Sequence, residues 1–190
     1  MTNKNLKDLR DAIHKDLKIN PTGSCFSIKE DSKESAIKKI EFTFKNQDDV
    51  LVIRQRDNNH AINLLTKYST NQSCDCIIFR IKQGTLKLYF CEIKSSYNEK
   101  YVKEACEQMQ ASKLFVAYLL ACYRHYHNKK IDIRESQYYY IYPKIGNSNK
   151  KKPYIDNANQ THLQFKPLMI DERGIARISK KEMEKFFKDS

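Results

Sequence analysis

The sequence predicts an α/β domain, and three observations carry that expectation. Runs rich in β-branched and aromatic residues alternate with stretches whose apolar residues recur every three or four positions. A strand–turn–strand run at 74–94 feeds directly into a long helical stretch at 96–126. The 190 residues suit one domain with a real core.

Each element follows from local pattern. Leu6, Leu9, Ile13 and Leu17 form one apolar stripe, so a helix is expected over 4–18, stopped by Asn20, Pro21 and Gly23. The β-rich runs 37–44 and 50–54, separated by Asn46 to Asp49, read as a hairpin. A short polar helix or loop is expected at 58–68. The runs 74–81 and 86–94 around Lys82, Gln83, Gly84 and Thr85 make the clearest hairpin. Ser96 with Glu99 resembles a capping box for the helix to Tyr126. A strand at 137–142 ends at Pro143, and the tail reads as a β-hairpin and helix over 161–188, with Ser179 as the helix cap. On this reading the catalytic core spans about 37–143 of a single domain, with the two ends as additions.

Composition narrows the function. The chain has 35 Lys and Arg against 23 Asp and Glu, a net charge of +12, which favours nucleic acid or another acidic partner. Its four glycines, Gly23, Gly84, Gly146 and Gly174, are too far apart for a dinucleotide fingerprint or a P-loop. No histidine pair has zinc-peptidase spacing, no serine sits in a nucleophile elbow, and the six cysteines contain no C-x-x-C. With a polar N-terminus and no apolar run long enough to span a membrane, a reduced, cytoplasmic protein is expected.

The chemistry concentrates on the second hairpin. If it is symmetric about Gln83 and Gly84, paired residue numbers sum to 167, which sets Asp75 opposite Glu92. Directly opposed side chains have Cβ atoms ~4.5 to 5.5 Å apart. Lys94 lies two residues beyond Glu92 and therefore on the same face. Two carboxylates that close repel unless a cation intervenes, and Mg²⁺ suits one or two carboxylates completed by water and a phosphate oxygen. Mn²⁺ can substitute. Ser95, Ser96 and the start of the next helix come immediately afterwards, where backbone N–H groups favour phosphate.

At these residues the sequence resembles the PD-(D/E)xK, or restriction-endonuclease-like, nuclease superfamily: Asp75, a hairpin, Glu92-Ile93-Lys94, then a helix. The resemblance covers roughly 74–142. It implies a three-layer α/β fold with a central mixed sheet flanked by helices, and Mg²⁺-dependent hydrolysis of nucleic acid, DNA favoured. Asp75, Glu92 and Lys94 would be the catalytic set, with Asp75 and Glu92 holding the metal. Gln108 or Gln110 matches the glutamine of RecB-like members; they project from different sides of the helix, and Gln108 is the choice. Cys74 stands where the motif has proline, and Ser112 stands four residues after Gln108 where RecB-like members have tyrosine. Many members add an early acid, for which Glu30, Glu34 and Glu41 are all available. A homo-oligomer or a regulatory partner protein would supply recognition, by analogy with small defence effectors of this superfamily. The alternative is a catalytically silent nuclease-like module that binds nucleic acid or a protein.

Other signals have simpler explanations. Cys74, Cys76 and Cys91 read as small buried hydrophobes rather than a zinc site, and His125 and His127 as residues of a helix end. Tyr138, Tyr139, Tyr140 and Tyr142 suit a strand with one half-exposed face rather than a base-stacking platform. Lys150, Lys151 and Lys152 form a basic loop suited to tracking a phosphate backbone.

Overall fold

The computed structural model describes residues 3–30, 32, 34–55, 73–133, 135–144, 154–156 and 161–188. The expected polar segment at 58–68 and the basic run Lys150–Lys152 lie outside them. The first helix, α1, spans Asn3–Ala12 and so ends well short of residue 18. The His14 ring accepts the Asp16 N–H and opens a 3-10 turn, Lys15–Leu17. Leu6, Leu9, Ile13 and Leu17 are nonetheless all buried together.

Strands β1 (Lys18–Ile19), β2 (Cys25–Lys29), β3 (Lys39–Thr43) and β4 (Val50–Ile53) follow. The expected hairpin between 37–44 and 50–54 does not form. β3 pairs with β2, whereas β4 pairs with β1 and with β5 (Cys76–Lys82). Burial explains the split: β3 buries alternate residues, Ile40 and Phe42, as a strand with one covered face does, while all four residues of β4 are buried. The 3-10 turn Gln47–Asp49, capped by the Asn46 side chain, carries the chain from one sheet to the other.

The second hairpin forms as expected. Gln83 and Gly84 have φ of 50° and 72°, the left-handed pair of a tight two-residue turn whose twist matches the strands. That turn pairs Lys82 with Thr85 and carries the register down to Cys76 opposite Cys91 on β6 (Thr85–Ile93). The long helix α2 (Glu99–His127) is capped by Asn98, which accepts the Lys100 N–H at 2.9 Å, so the cap is not Ser96. Strand β7 (Glu135–Pro143) then runs parallel to β6, a pairing that requires a crossover, and α2 supplies it.

The tail is woven into both sheets. β8 (Tyr154–Asp156) pairs with β9 (Thr161–Leu168), and β9 lies parallel to β7. β10 (Ile175–Ile178) does not fold back on β9 as a hairpin; it runs parallel to β3. The turn between them is held by Asp171, whose Oδ1 accepts the Arg173 and Ile175 N–H groups at 2.9 Å. Gly174 in that turn has φ +71°, and a Cβ there would lie 2.6 Å from the Ala36 carbonyl oxygen. The Glu182 carboxylate accepts from Ser179 N–H and hydroxyl ahead of α3 (Met183–Phe186).

The result is a mixed seven-stranded sheet, ordered β1-β4-β5-β6-β7-β9-β8, and a three-stranded sheet, β10-β3-β2. One face of the large sheet packs on α1 and α2 through Leu51, Phe79, Phe90, Val102, Met109 and Tyr140. Its other face is not covered by helices alone, as expected, but by the small sheet together with α3. Tyr138, Tyr139, Tyr140 and Tyr142 are buried, so β7 has no half-exposed tyrosine face; a central parallel strand is covered on both sides.

Candidate active site

The site lies where the β5–β6 ladder ends. Even-numbered residues of β6, among them Leu88 and Phe90, face α2, while Tyr89, Cys91 and Ile93 face the small sheet. By the period of two, Glu92 projects to the α2 side among those apolar residues. It is only 3% exposed.

Beyond Cys76–Cys91 the side chains take over from the backbone ladder. The Ile93 N–H donates to Asp75 Oδ2 at 2.6 Å, and the Asp75 N–H donates to Glu92 Oε2 at 3.2 Å. Each carboxylate thus satisfies a backbone donor next to the other. Glu92 Oε1 lies 2.7 Å from Lys94 Nζ, and Lys94 Nζ donates to Gln108 Oε1 at 3.2 Å. The four residues expected to share the site, Asp75, Glu92, Lys94 and Gln108, are therefore brought together.

Burial dominates their electrostatics. It pushes the Asp75 carboxyl up to about 6, against the Ile93 hydrogen bond, and the Glu30 charge pushes the same way. Glu92 is driven well above the usual carboxylate range, first by burial and then by Asp75. Burial alone would lower Lys94, but the Glu92 carboxylate outweighs it and the ammonium is held more strongly protonated than usual.

Three supporting residues are given no role at the site by the sequence reading, which notes Ser112 only as a departure from the RecB-like pattern. Arg54, just past β4, donates through Nη1 to the Lys29 carbonyl at 2.6 Å and places Nη2 3.7 Å from Asp75 Oδ1. Ser112, fully buried on α2, accepts the Cys74 N–H at 2.9 Å and donates to Gln55 Oε1 at 3.4 Å. It stands one turn after Gln108, so the helix face that meets Lys94 also fixes the backbone entering Asp75. Tyr140 donates to the Ser96 carbonyl at 2.7 Å and tethers the segment after Lys94. The available signal was a lone serine on the apolar face of a helix, where a hydroxyl needs a partner.

Of the three early acids, Glu30 is the one whose charge acts on Asp75. Glu41 is engaged elsewhere, 2.5 Å from Lys39 and 3.2 Å from Arg177, and Glu34 is exposed. The Ser95 hydroxyl accepts the Ala36 N–H at 3.2 Å and so holds the β2–β3 connection. The α2 N-terminus lies farther along the chain than expected, after Asn98.

Among the described residues, no group of three or more His, Cys, Asp or Glu could hold a metal ion, so any cation here would have two protein carboxylates, Asp75 and Glu92. The thiols of Cys74 and Cys76 are pushed up, Cys74 chiefly by burial and Cys76 by its hydrogen bond with Cys91 and then burial, and so stay neutral. His127 stacks on Tyr123 with ring centroids 4.7 Å apart at the end of α2. No helix among the described residues is long and apolar enough to cross a membrane. No family model, no curated protein and no solved structure matches the chain.

Proposed function

We propose that the chain is a metal-dependent nuclease of the restriction-endonuclease-like type, hydrolysing phosphodiester bonds and preferring DNA. The observation that carries this reading is the convergence of Asp75, Glu92 and Lys94 at the end of the β5–β6 hairpin, with Gln108 on Lys94. Two carboxylates raised by burial, Asp75 further by the Glu30 charge and Glu92 further by Asp75, make a site whose charge a divalent cation relieves. The donor set fits Mg²⁺ or Mn²⁺, which take one or two carboxylates and leave positions for water and a phosphate oxygen. Such a cation would neutralise charge on the phosphate and acidify a bound water. Asp75 and Glu92 would hold it.

Lys94 then has a defined task. Glu92 and Gln108 fix its ammonium from two sides, so it donates from a set position to the attacking water or to charge developing on the phosphate. Gln108 is a positioning residue, and Ser112 holds the chain entering Asp75. The net charge of +12 suits a polyanionic substrate.

The test is cleavage of supercoiled plasmid, single-stranded DNA and RNA in Mg²⁺ or Mn²⁺, with Lys94→Ala and EDTA as controls. Cutting that requires the metal and disappears in the variant is expected, fastest on DNA. Absence of cutting together with no cation binding by calorimetry sinks the reading in favour of a silent binding module.

A further inference from the structure

Away from the site, an apolar surface runs along the outer face of α2. Val102, Ala105, Met109, Val116 and Tyr123 turn the inner face of this helix into the core. On the other side, Leu114, Tyr118 and Tyr126 are 69%, 57% and 80% exposed. Their spacing of four and eight residues keeps them on one side of the helix, with exposed Ala117 and Ala121 beside them. Single exposed apolar residues are ordinary, but a contiguous patch marks a contact surface. Ala117 and Ala121 also open a cavity of about 200 Å³ that Leu120, Arg124, Lys130 and Ile131 complete. Projecting side chains and a hollow thus share one face.

Area and charge identify the occupant. At ~200 Å² for a whole tyrosine side chain and somewhat less for leucine, the three residues leave on the order of 400 Å² open. A second copy of the same face doubles that, and the polar flanks carry the contact past the ~1,000 Å² that a specific interface needs. Glu104 and Glu107 lie on this side of the helix toward its start, while Arg124 and Lys129 lie at its end. An antiparallel copy, related by a twofold passing between Leu114 and Tyr118, therefore sets Leu114 against Tyr118 and Glu107 against Arg124, each contact made twice. A parallel copy would set acid on acid and base on base.

We infer that two copies of this chain pair through the outer faces of their α2 helices, antiparallel about a twofold, with Leu114 of each seated over the Ala117–Ala121 hollow of the other. The small alanines let the helix axes close to the ~8 to 10 Å usual for packed helices. The pairing does not depend on the nuclease reading. Gln108 is turned to Lys94 and Ser112 is buried, so each copy keeps its own site intact.

The experiment measures the mass of the full chain by sedimentation equilibrium over a wide concentration range. Wild type is expected to show a monomer–dimer equilibrium. Tyr118→Glu and Leu114→Glu should each weaken it about a hundredfold, because the twofold brings every change into the interface twice. Both positions are exposed, so circular dichroism should be unchanged, and Met169→Glu, at a position 71% exposed outside the helices, should dimerise as wild type does. Glu107→Arg and Arg124→Glu should each weaken the dimer about fivefold, and the two together should restore it. In a parallel pair neither single change would matter. A wild type that stays monomeric at the highest concentration overturns the proposal, as does a dimer that survives both glutamate substitutions, or one whose charge-swapped double variant stays as weak as the singles. A monomeric wild type whose DNA binding, followed by anisotropy, falls in Tyr118→Glu gives the face to nucleic acid instead.

Discussion

Replacing Asp75 by asparagine should stabilise the fold at neutral pH. The carboxyl rises from 3.8 to about 6 on folding because burial disfavours its charge. The folded state therefore binds a proton more tightly than the unfolded state, and stability falls as the pH climbs through that window. At about 1.4 kcal/mol per pH unit, the ionised carboxylate costs the fold roughly 3 kcal/mol at pH 7. Asparagine keeps an acceptor for the Ile93 N–H and removes the charge. For a chain of this size that corresponds to a Tm higher by roughly 6–12 °C at pH 7. The advantage should shrink to about 0.6 kcal/mol at pH 4, where wild-type Asp75 is protonated in the folded state, and vanish below the unfolded value of 3.8. Urea unfolding of both proteins from pH 4 to 8 measures this directly. A variant no more stable than wild type at pH 7, or an advantage that does not change with pH, would refute the burial argument. Cleavage should be lost in the same variant, as at a site that trades stability for activity.

Two further substitutions test the supporting residues. Gln108→Ala should slow cleavage about tenfold in single-turnover assays by releasing the Lys94 ammonium, with Mn²⁺ affinity by calorimetry unchanged. Ser112→Ala leaves the buried Cys74 N–H without its acceptor and should cost about 1–3 kcal/mol in urea denaturation, together with a loss of cleavage rate as the chain before Asp75 loosens.

What could be read from the sequence was local. A two-residue turn at Gln83–Gly84 sets the register of its own hairpin, so the pairing that brings Asp75 to Glu92 needs no knowledge of the rest of the chain. The face of Glu92 and Lys94, and the reach of Gln108, follow from the periods of strand and helix. Choices between distant partners were not legible. β3 could have paired with β4, but it takes β2 and β10 instead, and β10 comes from more than a hundred residues away. Tyr138 to Tyr142 carry the same β-propensity on an edge strand as in a covered interior one. Arg54 gave no signal because the Lys29 carbonyl and Asp75, which it meets, lie more than twenty residues away on either side of it. Asn98 takes the place of Ser96 as cap, and Ser96 lies in a bend ahead of the helix with its carbonyl held by Tyr140.

The crossed hydrogen bonds at the end of the β5–β6 ladder give each acid its own witness in the backbone. The amide proton of Ile93 points at Asp75, and that of Asp75 points at Glu92. An amide donating to a carboxylate is deshielded while the acid is ionised and shifts back when it takes up a proton. In a nitrogen–proton correlation spectrum, two peaks would then follow the two carboxylates one at a time, through a pH titration or the arrival of a cation, with no label added to the site.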